Sequence, residues 1–125
     1  LEGALAEQFI GQELLTLEEP FIDSSLYYWV REKKNANAEI DYLYQQYNKI
    51  FPVEVKAGKT GSLKSLHVYL LDKKLKTGIR FNLDIPSYGT FSSKVRIGHS
   101  MNKIDYTLIS LPLYMCFILP DIIRD

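Results

Sequence analysis

Two short apolar runs that carry charges constrain this chain most. Ala38-Glu39-Ile40-Asp41-Tyr42-Leu43 and Phe51-Pro52-Val53-Glu54-Val55-Lys56 read as strands, rich in β-branched and aromatic residues. The link from Gln45 to Lys49 is short and polar, which predicts strands over 38–44 and 50–56 joined as an antiparallel hairpin. With the turn centred on Tyr47-Asn48, partner numbers sum to 95 and Asp41 lies opposite Glu54, Cβ atoms about 5 Å apart. Lys56 follows Glu54 by two and shares its face, while Val53 and Val55 point to the other face, into the core. A slip of one residue would send the two carboxylates to opposite faces.

Charges inside apolar strands are costly unless paired or bound to a metal. Two carboxylates this close repel each other, and a divalent cation between them removes the conflict. The set therefore predicts Asp41 and Glu54 as ligands of Mg²⁺ (or Mn²⁺), with the Val55 carbonyl completing the shell. Lys56 would orient an attacking water or offset charge in the transition state. That is the chemistry of phosphodiester cleavage. The competing reading is a lysine–carboxylate cluster on a solvated sheet face.

The rest of the chain supplies the frame. Ala6, Phe9, Ile10, Leu14 and Leu17 recur at helical spacing over 4–17, ahead of Pro20. Leu26–Val30 reads as a strand and Arg31–Asn37 as a turn. Ser62–Leu75 reads as a helix with Ser62 as N-cap, Leu63, Leu66 and Leu70 as its stripe, and Gly78 as C-cap. Ile79–Ile85 alternates as a half-buried strand. Lys94–Ile97 and Tyr106–Ser110 are short strands, and Leu113–Ile123 is a closing helix started by Pro112. The predicted fold is α/β: an αβββαβ core with a mixed sheet, a small β-rich extension and a C-terminal helix, as one domain over 1–125.

Composition narrows the classes. The chain is 46% hydrophobic and 24% charged, enough apolar residues for a real core. No run of about 18 apolar residues occurs, so no membrane span is expected. Cys116 is the single cysteine, which excludes an internal disulfide and predicts a reducing, cytoplasmic setting. Leu1 rather than Met opens the chain, so a longer parent protein is expected. Net charge is zero, yet residues 56–80 hold seven cations against Asp72 alone. Such a segment attracts phosphates, and Lys59, Lys64 and Lys73 are the candidate nucleic-acid contacts; the bland alternative is a solvated helix face.

Other motifs fail. Gly58-Lys59-Thr60 lacks the P-loop glycine, since Val53 stands there. His67 and His99 have no partner at zinc spacing. No Gly-x-Ser-x-Gly elbow appears. Tyr27, Tyr28, Trp29, Tyr42, Tyr44 and Tyr47 suit base stacking, but aromatics on strands usually pack sheets.

Three segments carry a family resemblance: Gly3 to Leu15, then Leu26 to Val30 with Ala38 to Leu43, then Phe51 to Gly58 with Lys64-Ser65-Leu66. Gly78-Ile79-Arg80 and Leu111-Pro112-Leu113-Tyr114 extend it. The chain resembles the PD-(D/E)xK nuclease superfamily, and more closely the C-terminal domain of unknown function carried by bacterial and archaeal AAA-type ATPases. The resemblance implies a restriction-endonuclease-like fold, Asp41 and Glu54 as acidic ligands, Lys56 as the catalytic lysine, and Glu7 as a helix-one glutamate that reaches the metal. Glu13 is a weaker match, and Ile40 stands where the motif has proline. Two functions follow: a Mg²⁺-dependent nuclease-like domain acting on DNA, or a catalytically silent module that docks its own ATPase domain or a partner through the apolar tail, Leu108–Ile123.

Overall fold

The computed structural model describes residues 2–17, 27–33, 36–58 and 62–123. The order is α1 (Glu2–Thr16), β1 (Tyr27–Lys33), β2 (Ala36–Gln46), β3 (Lys49–Val55), α2 (Lys64–Lys73), β4 (Thr77–Asn82), β5 (Ser87–Ile97) and β6 (Ser100–Pro112). A 3₁₀ helix (Leu113–Ile118) and a short α3 (Leu119–Ile122) close the chain. The described strands form one six-stranded sheet in the order β1-β2-β3-β4-β6-β5. The fold is α/β with a mixed sheet, as expected: β1 to β3 form an antiparallel meander, and β3, β4 and β6 run parallel. Pro20, the predicted stop for α1, lies outside the described residues.

Parallel central strands need cover on both faces, and the sheet has it. Ala6, Ile10 and Leu14 of α1 pack with Phe51, Val53, Val55, Ile79 and Phe81 on one face, joined by Cys116, Leu119 and Ile123 from the tail. Leu66, Val68 and Leu70 of α2 pack with Ile40, Tyr106 and Leu108 on the other. Gly78 makes the second contact possible, since a Cβ there would meet Leu66 Cδ2 at 2.8 Å.

Several expectations need correction. Phe9 points to solvent, because the buried stripe of α1 runs through Ala6, Ile10 and Leu14 at spacing four. Strand β1 runs on to Lys33 and β2 starts at Ala36, so polar residues of the supposed turn are strand on the sheet's outer edge. The N-cap of α2 is Leu63 with no side-chain bond; Ser62 Oγ instead accepts from the Lys64 N–H at 3.2 Å. The helix ends at Lys74 in the left-handed conformation, φ 57°, while Gly78 lies inside β4. That strand is buried on both faces and stops at Asn82, leaving Leu83 and Ile85 exposed. The β-rich extension is no appendage: β6 is long, pairs in parallel with β4 and belongs to the main sheet. The closing helix is mostly 3₁₀, with no side-chain cap at its start.

Candidate functional site

The β2–β3 hairpin holds the predicted register. Pairs run from Tyr42↔Val53 to Gln46↔Lys49, all summing to 95, around a turn at Tyr47-Asn48. Tyr47 adopts φ 57° there, a conformation that costs a residue with a Cβ roughly 1 kcal/mol. The ladder stops one pair short of Asp41 and Glu54.

A β-bulge explains the stop. Against β1, Leu43 pairs with Tyr27 but Ile40 pairs with Trp29, so β2 holds one extra residue across Asp41-Tyr42. Faces confirm it. Ile40 and Leu43 both join the α2-side core although they are three apart, while Tyr42 turns to α1 and donates its hydroxyl to the Glu7 carbonyl at 3.0 Å. At the bulge Asp41 Oδ2 takes the Val55 N–H at 2.8 Å, so a side chain replaces a backbone acceptor. This bond fixes the carboxylate at the seam between β2 and β3.

Glu54 stands beside it. Alternation puts Glu54 on the face opposite Val53 and Val55, and only 5% of it is exposed. Glu54 Oε2 lies 3.5 Å from Lys56 Nζ, whereas Oε1 is buried without a hydrogen-bond partner. Burial, then the Asp41 charge, pushes the Glu54 carboxyl up to about 7. Asp41 is raised chiefly by burial, against the lowering pull of the Val55 N–H and Lys56. Glu7 is raised by burial and by Asp41, so α1 brings its carboxylate into the same electrostatic field. Among the described residues, no three His, Cys, Asp or Glu side chains are gathered closely enough to ligate one ion as they stand. Asp41 and Glu54 act directly on each other, and Glu7 couples to both from α1.

The site lies at the carboxyl end of β3, where ligands of open α/β sheets bind. The same face is apolar under α2, at Leu108, and turns polar beyond it. Arg80 pairs with Glu54 across β3–β4 and with Ser110 across β4–β6, so the three form one row. Asn82, two residues past Arg80, shares their face. Glu54, Asn82 (0% exposed) and Ser110 (1%) are the buried polar side chains of the described residues. Sequence reasoning missed Arg80, Asn82 and Ser110 as site residues. The polar phase of the β4 alternation, Arg80 and Asn82 against Ile79 and Phe81, was the available signal.

The basic residues disperse. Lys59 lies outside the described residues. Lys64 and Lys73 sit at opposite ends of α2, about 13 Å apart at the helical rise. Lys64 borders a cavity of about 320 Å³ with Lys94 and Arg96. Lys73 borders another of about 790 Å³ with Lys49, Lys74 and Lys76, at the amino end of β3 and away from Glu54. The expected basic track along α2 beside the carboxylates is therefore split. His67 bonds the Tyr106 hydroxyl at 2.8 Å.

The profile of a family described as a domain of unknown function, DUF4143, matches residues 2–97, and the chain belongs to that family. The match spans Glu7, Asp41, Glu54, Lys56, Arg80 and Asn82. No curated protein matches the chain.

Proposed function

We propose that this DUF4143 member is a nuclease-like domain that hydrolyses phosphodiester bonds of DNA with Mg²⁺ or Mn²⁺. The observation that carries the reading is the buried Glu54, its Oε1 unpartnered and its neighbour the bulge-held Asp41. A buried acceptor without a donor suits a cation, and Mg²⁺ typically takes one or two carboxylates plus waters and substrate phosphates. Asp41 and Glu54 would hold the ion, with Glu7 and the Val55 carbonyl as further oxygen donors. Bound there, the ion would neutralise phosphate charge and lower the pKa of a water.

The protein's own part is positioning. The Val55 N–H holds Asp41 at the seam, and burial keeps Glu54 largely out of water. Lys56, partly exposed on the same face, presents an ammonium to an incoming phosphate or water. The observed α-β-β-β-α-β order supports the resemblance to PD-(D/E)xK nucleases. The tethering to an AAA-type ATPase and the cytoplasmic setting rest on that resemblance and on composition. No described helix is long and apolar enough to cross a membrane.

The docking alternative retains a narrower surface. Most of the tail faces the protein's own core, at Leu108, Ile109, Leu111, Cys116, Leu119 and Ile123, and Tyr114 (73% exposed) and Phe117 (63%) point outward. The deciding experiment incubates purified protein with duplex, branched and single-stranded DNA and Mg²⁺ or Mn²⁺. Cutting by the wild type, abolished in Asp41→Ala with unchanged circular dichroism, is the expected outcome. Intact DNA in every arm, with no calorimetric heat from Mn²⁺, refutes the reading and favours docking.

A further inference from the structure

We propose that Arg80, Asn82 and Ser110 form a phosphate-binding subsite beside the carboxylates, taking the non-bridging oxygens of a phosphodiester in the bound strand. This rests on the nuclease reading and deepens it, because it assigns the anion-holding half of the site to strands that carry no nuclease motif.

The geometry starts from the row Glu54–Arg80–Ser110 on three adjacent parallel strands. Strands lie about 4.8 Å apart, so the row places Ser110 about 10 Å from Glu54 along the sheet. Arg80 Nε donates to Ser110 Oγ at 3.0 Å. That bond uses one guanidinium donor and orients the fork, leaving the terminal nitrogens for an acceptor. No carboxylate among the described residues pairs with Arg80. The Ser110 hydroxyl, already accepting from Arg80, keeps its own proton to donate.

Asn82 adds a buried donor without a partner. Its Oδ1 accepts the Asp84 N–H at 3.1 Å, which fixes which end of the amide is which. Its Nδ2, in a side chain with no exposed surface, has no partner. An orphaned buried donor carries an uncompensated desolvation penalty, which an acceptor-rich ligand removes. Arg80, Asn82 and Ser110 thus offer donors on the face where Glu54 offers an acceptor, with Asp41 at the adjoining seam. A phosphodiester is the ligand that needs both: its oxygens meet the donors, and its bound cation meets the carboxylates. The fork of Arg80 suits phosphate oxygens in a way a point charge does not.

The test uses a labelled DNA duplex, anisotropy across a salt series without divalent ions, and Mn²⁺ calorimetry on the same samples. Arg80→Gln is expected to weaken DNA binding about tenfold or more and to make the salt slope shallower by about one. Its Mn²⁺ affinity should stay at the wild-type value, which a merely structural role for Arg80 does not predict. Should Arg80→Gln fail to fold, Arg80→Lys keeps the charge but loses the fork, and it should bind DNA more weakly with an unchanged salt slope. DNA binding by either folded variant equal to wild type overturns the subsite and leaves the nuclease reading intact. A wild type that takes Mn²⁺ but no DNA also overturns the subsite, and one that takes neither overturns both.

Discussion

Replacing Glu54 by glutamine tests the buried carboxyl directly. In the folded protein this group is moved from 4.5 to about 7, by burial first and by Asp41 second. The folded state therefore binds the proton more tightly than the unfolded chain. The contribution of Glu54 to stability is greatest below about pH 4.5 and falls as pH rises towards 7, where the unfolded chain has already released its proton and the folded one has not. At about 1.4 kcal/mol per pH unit, the displacement costs the wild type about 3 kcal/mol above pH 7. Glutamine has the same shape and never ionises, and the loss of the partly exposed Lys56 contact costs little. Glu54→Gln should thus melt roughly 10 °C higher than wild type at pH 8 for a chain of this size, with the gap closing by pH 4.5. Calorimetric melts from pH 4 to 8 in chelator read this out. Mn²⁺ should then raise the wild-type midpoint at pH 8 and leave that of Glu54→Gln unmoved. A difference between the two proteins that ignores pH, or a lower midpoint for the variant at pH 8, refutes the idea of a carboxylate held against its own charge.

Two further outcomes follow from packing. Gly11→Ala gains helix propensity of about 1 kcal/mol, yet its Cβ would meet Tyr42 Cζ at 2.8 Å. The ring is tied to the Glu7 carbonyl, so urea unfolding should show a net loss of about 1–3 kcal/mol; a gain would mean Tyr42 moves freely. Cys116 is buried and burial pushes its thiol up to about 12. It should react with a disulfide reagent only in denaturant, and rapid labelling of native protein would contradict the tail packing.

Local pattern made the hairpin legible. The apolar runs, the polar link and the period of two place Asp41 near Glu54 and set Lys56 on the same face, and the observed pairs keep the expected sum. Helix α2 was legible through Leu66 and Leu70 for the same reason: its periodicity sits within one element. The bulge was not legible, because Glu39-Ile40-Asp41-Tyr42 alternates like an unbroken strand, and only pairing to both β1 and β3 reveals the extra residue. Strands β5 and β6 were underestimated since serine, threonine and lysine blur their alternation. The 3₁₀ character of the tail was not legible, because an apolar run does not distinguish a 3₁₀ helix from an α-helix.

What the sequence by itself determined is the set of charges inside strands and the element that carries each, since both depend on neighbours a few residues away. The tertiary structure alone decided that the Val55 N–H goes to Asp41, that Glu54 keeps an oxygen buried without a donor, and that Lys73 sits far from both. It also decided that Arg80 meets Ser110. These residues are distant in the chain and share a site because β6 enters the sheet beside β4, a parallel pairing that follows from covering both faces of the sheet rather than from any local signal.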